Sequence, residues 1–276
     1  MSVFEAVFLG AVQGLTEFLP VSSSGHLVLF QKILGIAGPA LFFDTLVHGG
    51  TLIAVFAVLW RDIWDILRRI FQPLTGCLVL ATLPAVAAAL VFGDAIEEAF
   101  ASGSSLGFAF LATSVLLVLA EYLSKKVKFP KGKGEMNWLD ALVIGVLQAL
   151  AIVPGLSRSG STLSGALSRG LNRDFAARFS FLLSIPAILG ALVLQTKDLL
   201  DRDGASGLAE SGVAEGPGAD ILPLIAGTLS AALVGFFSIR IMLRIIRKRS
   251  LLGFAVYTGL LGILVLIDRF GTHLVF

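Results

Sequence analysis

The 276 residues are 56% hydrophobic and 14% charged, with a mean hydropathy of +0.91, which excludes a soluble globular domain of ordinary composition. Twenty-one basic and 19 acidic residues give a net charge of +2, so nothing in the charge points to a nucleic-acid partner. Thirty glycines and 21 phenylalanines, set in long unbroken apolar runs, exclude a porin-like barrel with alternating strands and indicate helices packed closely in lipid.

The first apolar segment, 1–19, contains Glu5, Gln13 and Glu17 and has no basic start, so it does not read as a cleavable signal. It is interrupted by Pro20-Val21-Ser22-Ser23-Ser24-Gly25 and resumes over 26–38. Stretches at 43–60, 75–93 and 105–123 are long enough to cross a bilayer, whose core requires about 20 residues. Cys77 falls in the second of these, where it has no disulfide partner and no nearby base. A second broken segment, 138–153 with 161–170, flanks Pro154-Gly155-Leu156-Ser157-Arg158-Ser159-Gly160, and three more spans follow at 175–195, 221–243 and 251–268. The pattern predicts an all-α integral membrane protein, a single membrane domain with six transmembrane helices and two re-entrant helical hairpins. Serine and glycine loops at membrane depth are tolerated only where protein surrounds them or water fills a cavity, so both breaks predict an internal polar site.

The two broken segments resemble each other. Residues 6–25 align without gaps on 141–160, with identities at Ala6/Ala141, Gly10/Gly145, Gln13/Gln148, Leu15/Leu150, Ser22/Ser157, Ser24/Ser159 and Gly25/Gly160. With three spans in each half, the copies at about 1–123 and 138–276 enter the membrane in opposite senses, an inverted repeat of the kind transporters use to place a site near the midplane. Cations gather in 61–74, 124–137 and 240–249, which are expected to be cytoplasmic; 94–104, acidic and without a cation, and 196–220 are expected to face outward. On that threading the first hairpin enters from outside, the second from the cytoplasm, and both termini lie outside.

Gly10, Gln13, Gly14 and Glu17 share one helical face. A carboxylate within the membrane needs a partner, a cation or a proton, and the plain alternative is a protonated carboxyl that ties two helices together. Three serines, a glycine and His26 follow within ten residues, which places hydroxyl nucleophiles near a group that titrates close to neutrality. Ser22, Ser23, Ser24 and Gly25 lead into a helix start, as do Ser157, Arg158, Ser159 and Gly160. Such an end suits phosphate, although ordinary helix caps look the same. The second copy puts Arg158 where the first has Ser23, supplying a fork suited to phosphate oxygens; its alternative is an ion pair with Glu17 that serves only structure. Ile152 replaces Glu17 and Ser161 replaces His26, so one half holds the acid, base and nucleophile candidates and the other the anion clamp. His48, within Asp44-Thr45-Leu46-Val47-His48-Gly49-Gly50, approaches the site from the first span or serves in packing; His273 reads as a solvated tail residue.

The run from Gln13 to His26, containing Glu17 and Pro20-Val21-Ser22-Ser23-Ser24-Gly25-His26, resembles the first signature of the bacterial undecaprenyl-pyrophosphate phosphatases linked to bacitracin resistance. Pro154-Gly155-Leu156-Ser157-Arg158-Ser159-Gly160 resembles the second, and the span pattern agrees over essentially the whole chain. The resemblance implies an enzyme of the bacterial cytoplasmic membrane that removes the terminal phosphate of a C55 polyprenyl diphosphate, regenerating the lipid carrier for peptidoglycan. It also implies a divalent cation, magnesium or calcium. Glu17, Ser23, His26 and Arg158 match the family's catalytic set. Gln13 stands at a position that varies between Glu and Gln, which weakens the case for two carboxylates, Glu17 and a partner at 13, holding the metal.

On this reading the cavity opens to the outer leaflet. Arg158 and the two caps, including Ser22, Ser24, Gly25, Ser157, Ser159 and Gly160, bind phosphate; Ser23 attacks, and His26 takes or relays a proton. His26 as nucleophile and direct attack by water stay open. The chief rival is a polyprenyl-phosphate flippase or transporter, against which the Ser-Ser-Ser-Gly-His cluster argues. Glycine-rich spans facing lipid permit a homodimer.

Overall fold

The computed structural model describes residues 1–36, 41–201 and 221–275, and every element among them is helical apart from one isolated bridge between Lys131 and Leu171. Helix α1 (Val3–Thr16) starts at a reciprocal cap, in which Ser2 Oγ accepts from the Glu5 amide at 3.2 Å and Glu5 Oε2 accepts from the Ser2 amide at 2.7 Å. It stops ahead of Pro20, and the serine loop turns the chain into α2 (Ser23–Ile33). The second break is built the same way, with α7 (Trp138–Leu150), capped by Asn137, turning through Pro154–Ser157 into α8 (Arg158–Ser168). Between and beyond them lie α3 (Leu41–Val58), α4 (Trp60–Arg68), α5 (Pro73–Ser102), α6 (Leu106–Lys126), α9 (Arg173–Asp201), α10 (Ile221–Lys248) and α11 (Leu252–Ile267).

Five described helices are long and apolar enough to cross a membrane unaided, over Pro73–Gly93, Leu106–Lys126, Arg173–Leu194, Ile221–Lys248 and Leu252–Thr272. The span expected at 43–60 differs: its helix ends at Val58 and the chain bends by 77° into α4, so it counts as a sixth only with that bent pair. α4 is amphipathic, with Trp60, Trp64 and Leu67 exposed and Arg61 and Arg68 lying over the two indoles, a composition suited to a membrane–water interface. Part of the expected loop 61–74 is therefore helix. The expected outward loop 94–104 is also mostly helix, because α5 bends at non-helical Phe92 and continues to Ser102. The cationic segment 240–249 forms the last turns of α10, and of 196–220 the portion 202–220 lies outside the described residues.

The short helices are held by long ones. α1 packs along α10 and α7 along α5, while α3 meets α9 and α6 meets α11. Glycine permits the first two contacts: a Cβ on Gly10 would stand 2.1 Å from the Gly227 carbonyl oxygen, and one on Gly145 would stand 2.7 Å from that of Ala81. Gly10→Leu is accordingly expected to cost at least about 1–3 kcal/mol through overpacking. The readout is a lowered melting midpoint in detergent. Gly76→Leu, at a glycine with nothing within 4 Å of an added Cβ, should leave it unchanged.

Ion pairs tie several helix ends together. Arg178 of α9 binds Asp62 of α4 at 2.7 Å, Arg247 of α10 binds Asp174 of α9 at 2.6 Å, and Arg173 of α9 binds Glu121 of α6 at 2.6 Å. Asp140 of α7 takes both Lys131 at 2.8 Å and Arg169 at 2.9 Å. Of the cations expected from the sequence to lie in loops, Lys131 pairs with buried Asp140 and Arg247 with half-buried Asp174.

Candidate active site

Both hairpin loops start their second helix in one way. Ser22 Oγ accepts from the Gly25 amide at 3.2 Å and lies 3.4 Å from Ser24 Oγ; Ser157 Oγ accepts from the Gly160 amide at 3.0 Å and lies 3.3 Å from Ser159 Oγ. The loops also touch. Ser159 Oγ donates to the Leu19 carbonyl at 2.9 Å, and a Cβ on Gly25 would meet Gly155 Cα at 3.0 Å and the Phe110 ring at 2.7 Å. Gly155 itself has φ of +90°, a backbone conformation that glycine adopts without strain.

This junction brings the unequal residues of the two copies face to face. Glu17, at the end of α1 and 6% exposed, accepts at Oε2 from Gln13 Nε2 at 2.9 Å and from the Ser23 hydroxyl at 2.5 Å. At Oε1 it accepts from Arg158 Nη2, and His48 Nε2 lies 3.6 Å from Oε2. The ion pair of Arg158 with Glu17 weighed from the sequence is present. It uses only part of the guanidinium, since Arg158 Nη1 is buried and has no hydrogen-bond partner among the described residues. A buried, unpaired cationic donor beside a cavity is costly unless an anion completes it.

The cavity has a volume of about 430 Å³. Its polar lining includes Glu17, Ser22, Ser23, Ser24, Asp44, His48 and Arg158, and its apolar lining includes Ala89 and Phe100 of α5 and Ile188 and Leu192 of α9. Of the residues singled out from the sequence, Glu17, Ser22, Ser23, Ser24 and Arg158 line it, whereas Gln13, Gly25, His26, Ser157, Ser159 and Gly160 stand behind it. Gly25, Ser157, Ser159 and Gly160 shape the two caps, and Gln13 buttresses Glu17. His26, 3% exposed, is turned away: Nδ1 binds the Ser22 carbonyl at 2.7 Å and Nε2 binds the Tyr257 hydroxyl at 2.7 Å. The acceptor that meets the Ser23 hydroxyl is therefore Glu17, not the histidine expected from the sequence.

Asp44 was named from the sequence only as the start of the run around His48, with no role of its own. It sits one turn before His48 on α3, so both point to one side; its Oδ1 accepts from Gln31 Nε2 at 2.7 Å and its carbonyl accepts from His48 Nδ1 at 2.6 Å. The signal was the four-residue spacing of an acid and a histidine within an apolar stretch. His273 lies in the tail after α11 and Cys77 in α5, neither at the cavity.

Among the described residues no three His, Cys, Asp or Glu side chains converge as a metal cluster. The oxygen donors near the cavity are Glu17, Asp44 and Gln13 Oε1, which is buried without a partner among the described residues, and His48 Nε2 lies beside them. This set fits a hard cation such as magnesium, which keeps water and takes one or two carboxylates together with phosphate oxygens.

A family model described as bacitracin resistance protein BacA matches residues 6–264. A protein of Carboxydothermus hydrogenoformans named undecaprenyl-diphosphatase is 45% identical over 267 residues, covering 97% of each chain. Proteins named undecaprenyl-diphosphatase in Halothermothrix orenii and undecaprenyl-diphosphatase 4 in Bacillus thuringiensis are 42% and 41% identical, each over 97% or more of both chains.

Proposed function

The chain belongs to the bacitracin resistance protein BacA family, and from that premise we propose that it is an undecaprenyl-diphosphatase, a membrane-embedded phosphatase that releases the terminal phosphate of a C55 polyprenyl diphosphate. The observation that carries the reading is the buried Arg158 Nη1, unpaired at a cavity where a serine hydroxyl already donates to a carboxylate. Arg158 binds oxygens of the terminal phosphate, with the hydroxyls of Ser22 and Ser24 beside it. Ser23 Oγ attacks the terminal phosphorus as its proton passes to Glu17, and the bond to the bridging oxygen breaks, releasing polyprenyl phosphate. Water then attacks the phosphoserine; inorganic phosphate departs and Ser23 recovers its proton. Restraint of the nucleophile within 2.5 Å of its base contributes most, since phosphoryl transfer gains chiefly from positioning and electrostatics. Glu17, with Gln13, would hold a divalent cation, which supplies neutralisation of phosphate charge when bound.

The apolar lining that α5 and α9 contribute to the cavity suits the first isoprene units of the tail. We read the two halves as an inverted repeat, supported by the matching caps and by the paired contacts of Gly10 with α10 and Gly145 with α5. The charge pattern supports a site facing the outer side of the bacterial cytoplasmic membrane, where product release returns carrier lipid to peptidoglycan synthesis.

The test is phosphate release from polyprenyl diphosphate by the purified protein in detergent, with and without EDTA. We expect release that EDTA abolishes and added magnesium or calcium restores. No release under any lipid, metal and detergent condition would favour the flippase, with the same residues serving as a lipid-phosphate binding site.

A further inference from the structure

Ser22, immediately before the nucleophile, has φ of +71°; among the described residues only His273 is another non-glycine residue with positive φ. Such a backbone persists only where its surroundings over-determine it. Here the Ser22 carbonyl is the anchored point, accepting from the His26 amide at 3.2 Å and from His26 Nδ1 at 2.7 Å. A carbonyl only accepts, so Nδ1 carries a proton, and in the neutral imidazole the lone pair lies on Nε2. That lone pair accepts the Tyr257 hydroxyl at 2.7 Å, contributed by α11 from the far end of the sequence. The two rings lie nearly parallel, 11° apart with centroids at 5.8 Å, and Phe110 meets the imidazole edge-on at 5.5 Å. Both ring nitrogens are engaged, and neither faces the cavity that Ser23 and Glu17 line.

We propose that Tyr257 and His26 are positioning residues. The tyrosine hydroxyl holds one imidazole tautomer, and the imidazole N–H clamps Ser22 in its positive-φ turn. That turn keeps Ser23 Oγ against Glu17. His26 thus acts through the backbone of its own loop, and Tyr257, a residue outside both sequence signatures, ties the loop to α11. This inference rests on the phosphatase reading.

The test compares His26→Ala, His26→Asn, Tyr257→Phe and the double variant His26→Asn with Tyr257→Phe, each purified with a melting midpoint recorded. Asparagine retains an N–H donor near the place of Nδ1 and has no acid–base chemistry in the neutral range. We expect His26→Ala to lower kcat about 100-fold or more, and His26→Asn to recover activity to within about tenfold of wild type. Tyr257→Phe, which keeps the stacked ring, should lower kcat about tenfold with KM unchanged, and should add nothing to His26→Asn. His26→Asn as inactive as a folded His26→Ala would overturn the proposal in favour of proton transfer, and Tyr257→Phe at the wild-type kcat would remove the tyrosine from it. If His26→Ala does not fold, His26→Asn and Tyr257→Phe decide alone, since activity within tenfold in the first is unattainable for a lost acid–base group. Absence of phosphate release from the wild type is a separate failure, of the activity itself, and is seen before any variant is compared.

Discussion

Arg158→Ala is expected to lower kcat/KM on the order of 10³-fold or more, and Arg158→Lys by about 10- to 100-fold. Two losses combine in the alanine variant. The phosphate loses its clamp, and Glu17 loses the cation that compensates it in a buried site, where removing one member of an ion pair costs about 3–5 kcal/mol. Lysine restores the charge but not the geometry. Arg158 holds Glu17 with Nη2 and leaves Nη1 for a second anion, so one planar group serves carboxylate and phosphate at once. An ammonium on a flexible stem offers no such fixed pair of directions. Steady-state kinetics on both variants, beside their melting midpoints, checks this, and an Arg158→Lys variant at the wild-type rate would refute the shared-fork geometry.

Ser23→Ala is expected to reduce turnover on the order of 10³-fold or more, because removal of a nucleophile leaves only what binding and electrostatics supply. Ser24→Ala is the control from the same loop. Its hydroxyl lies 3.4 Å from Ser22 Oγ and has no contact with Glu17, so a loss of no more than about tenfold is expected, the scale of one hydrogen bond. Rapid quenching in parallel with acid and with alkaline denaturant, which preserves acid-labile phosphohistidine, followed by mass spectrometry should place phosphate on the peptide containing Ser23 in the wild type and on none in Ser23→Ala. Phosphate found on His26 or His48 would reject the serine nucleophile.

The membrane class, the two broken hairpins and the meeting of Glu17 with Arg158 were legible in the sequence because each leaves a local mark: an apolar run, a Pro-Ser-Gly interruption, a charge at membrane depth. Features that depend on direction were not. His26 satisfied every compositional expectation of a base near a serine, but the Ser22 carbonyl one helical turn back and the distant Tyr257 turn its ring away. Asp44 was quoted only as part of the run around His48, although its spacing from His48 puts both on one side of α3. Acidic residues in 94–104 suggested a loop, whereas a bend at Phe92 lets α5 run on as helix. Loop charge marks where a chain meets water, and a helix that projects beyond the apolar span meets water as well.

The packing of the two short helices sets an order of assembly during synthesis. α7 docks on α5, which has already been made when α7 emerges. α1 docks on α10, whose first residue is Ile221, so the first hairpin waits for most of the chain before it gains its wall. Glu17 is among the earliest residues synthesised, yet the helix that ends at it gains its long packing partner among the last. A ribosome stalled before α10 would leave α1, which ends at a membrane-depth carboxylate, without the long helix it packs against, and so exposed to quality-control proteolysis.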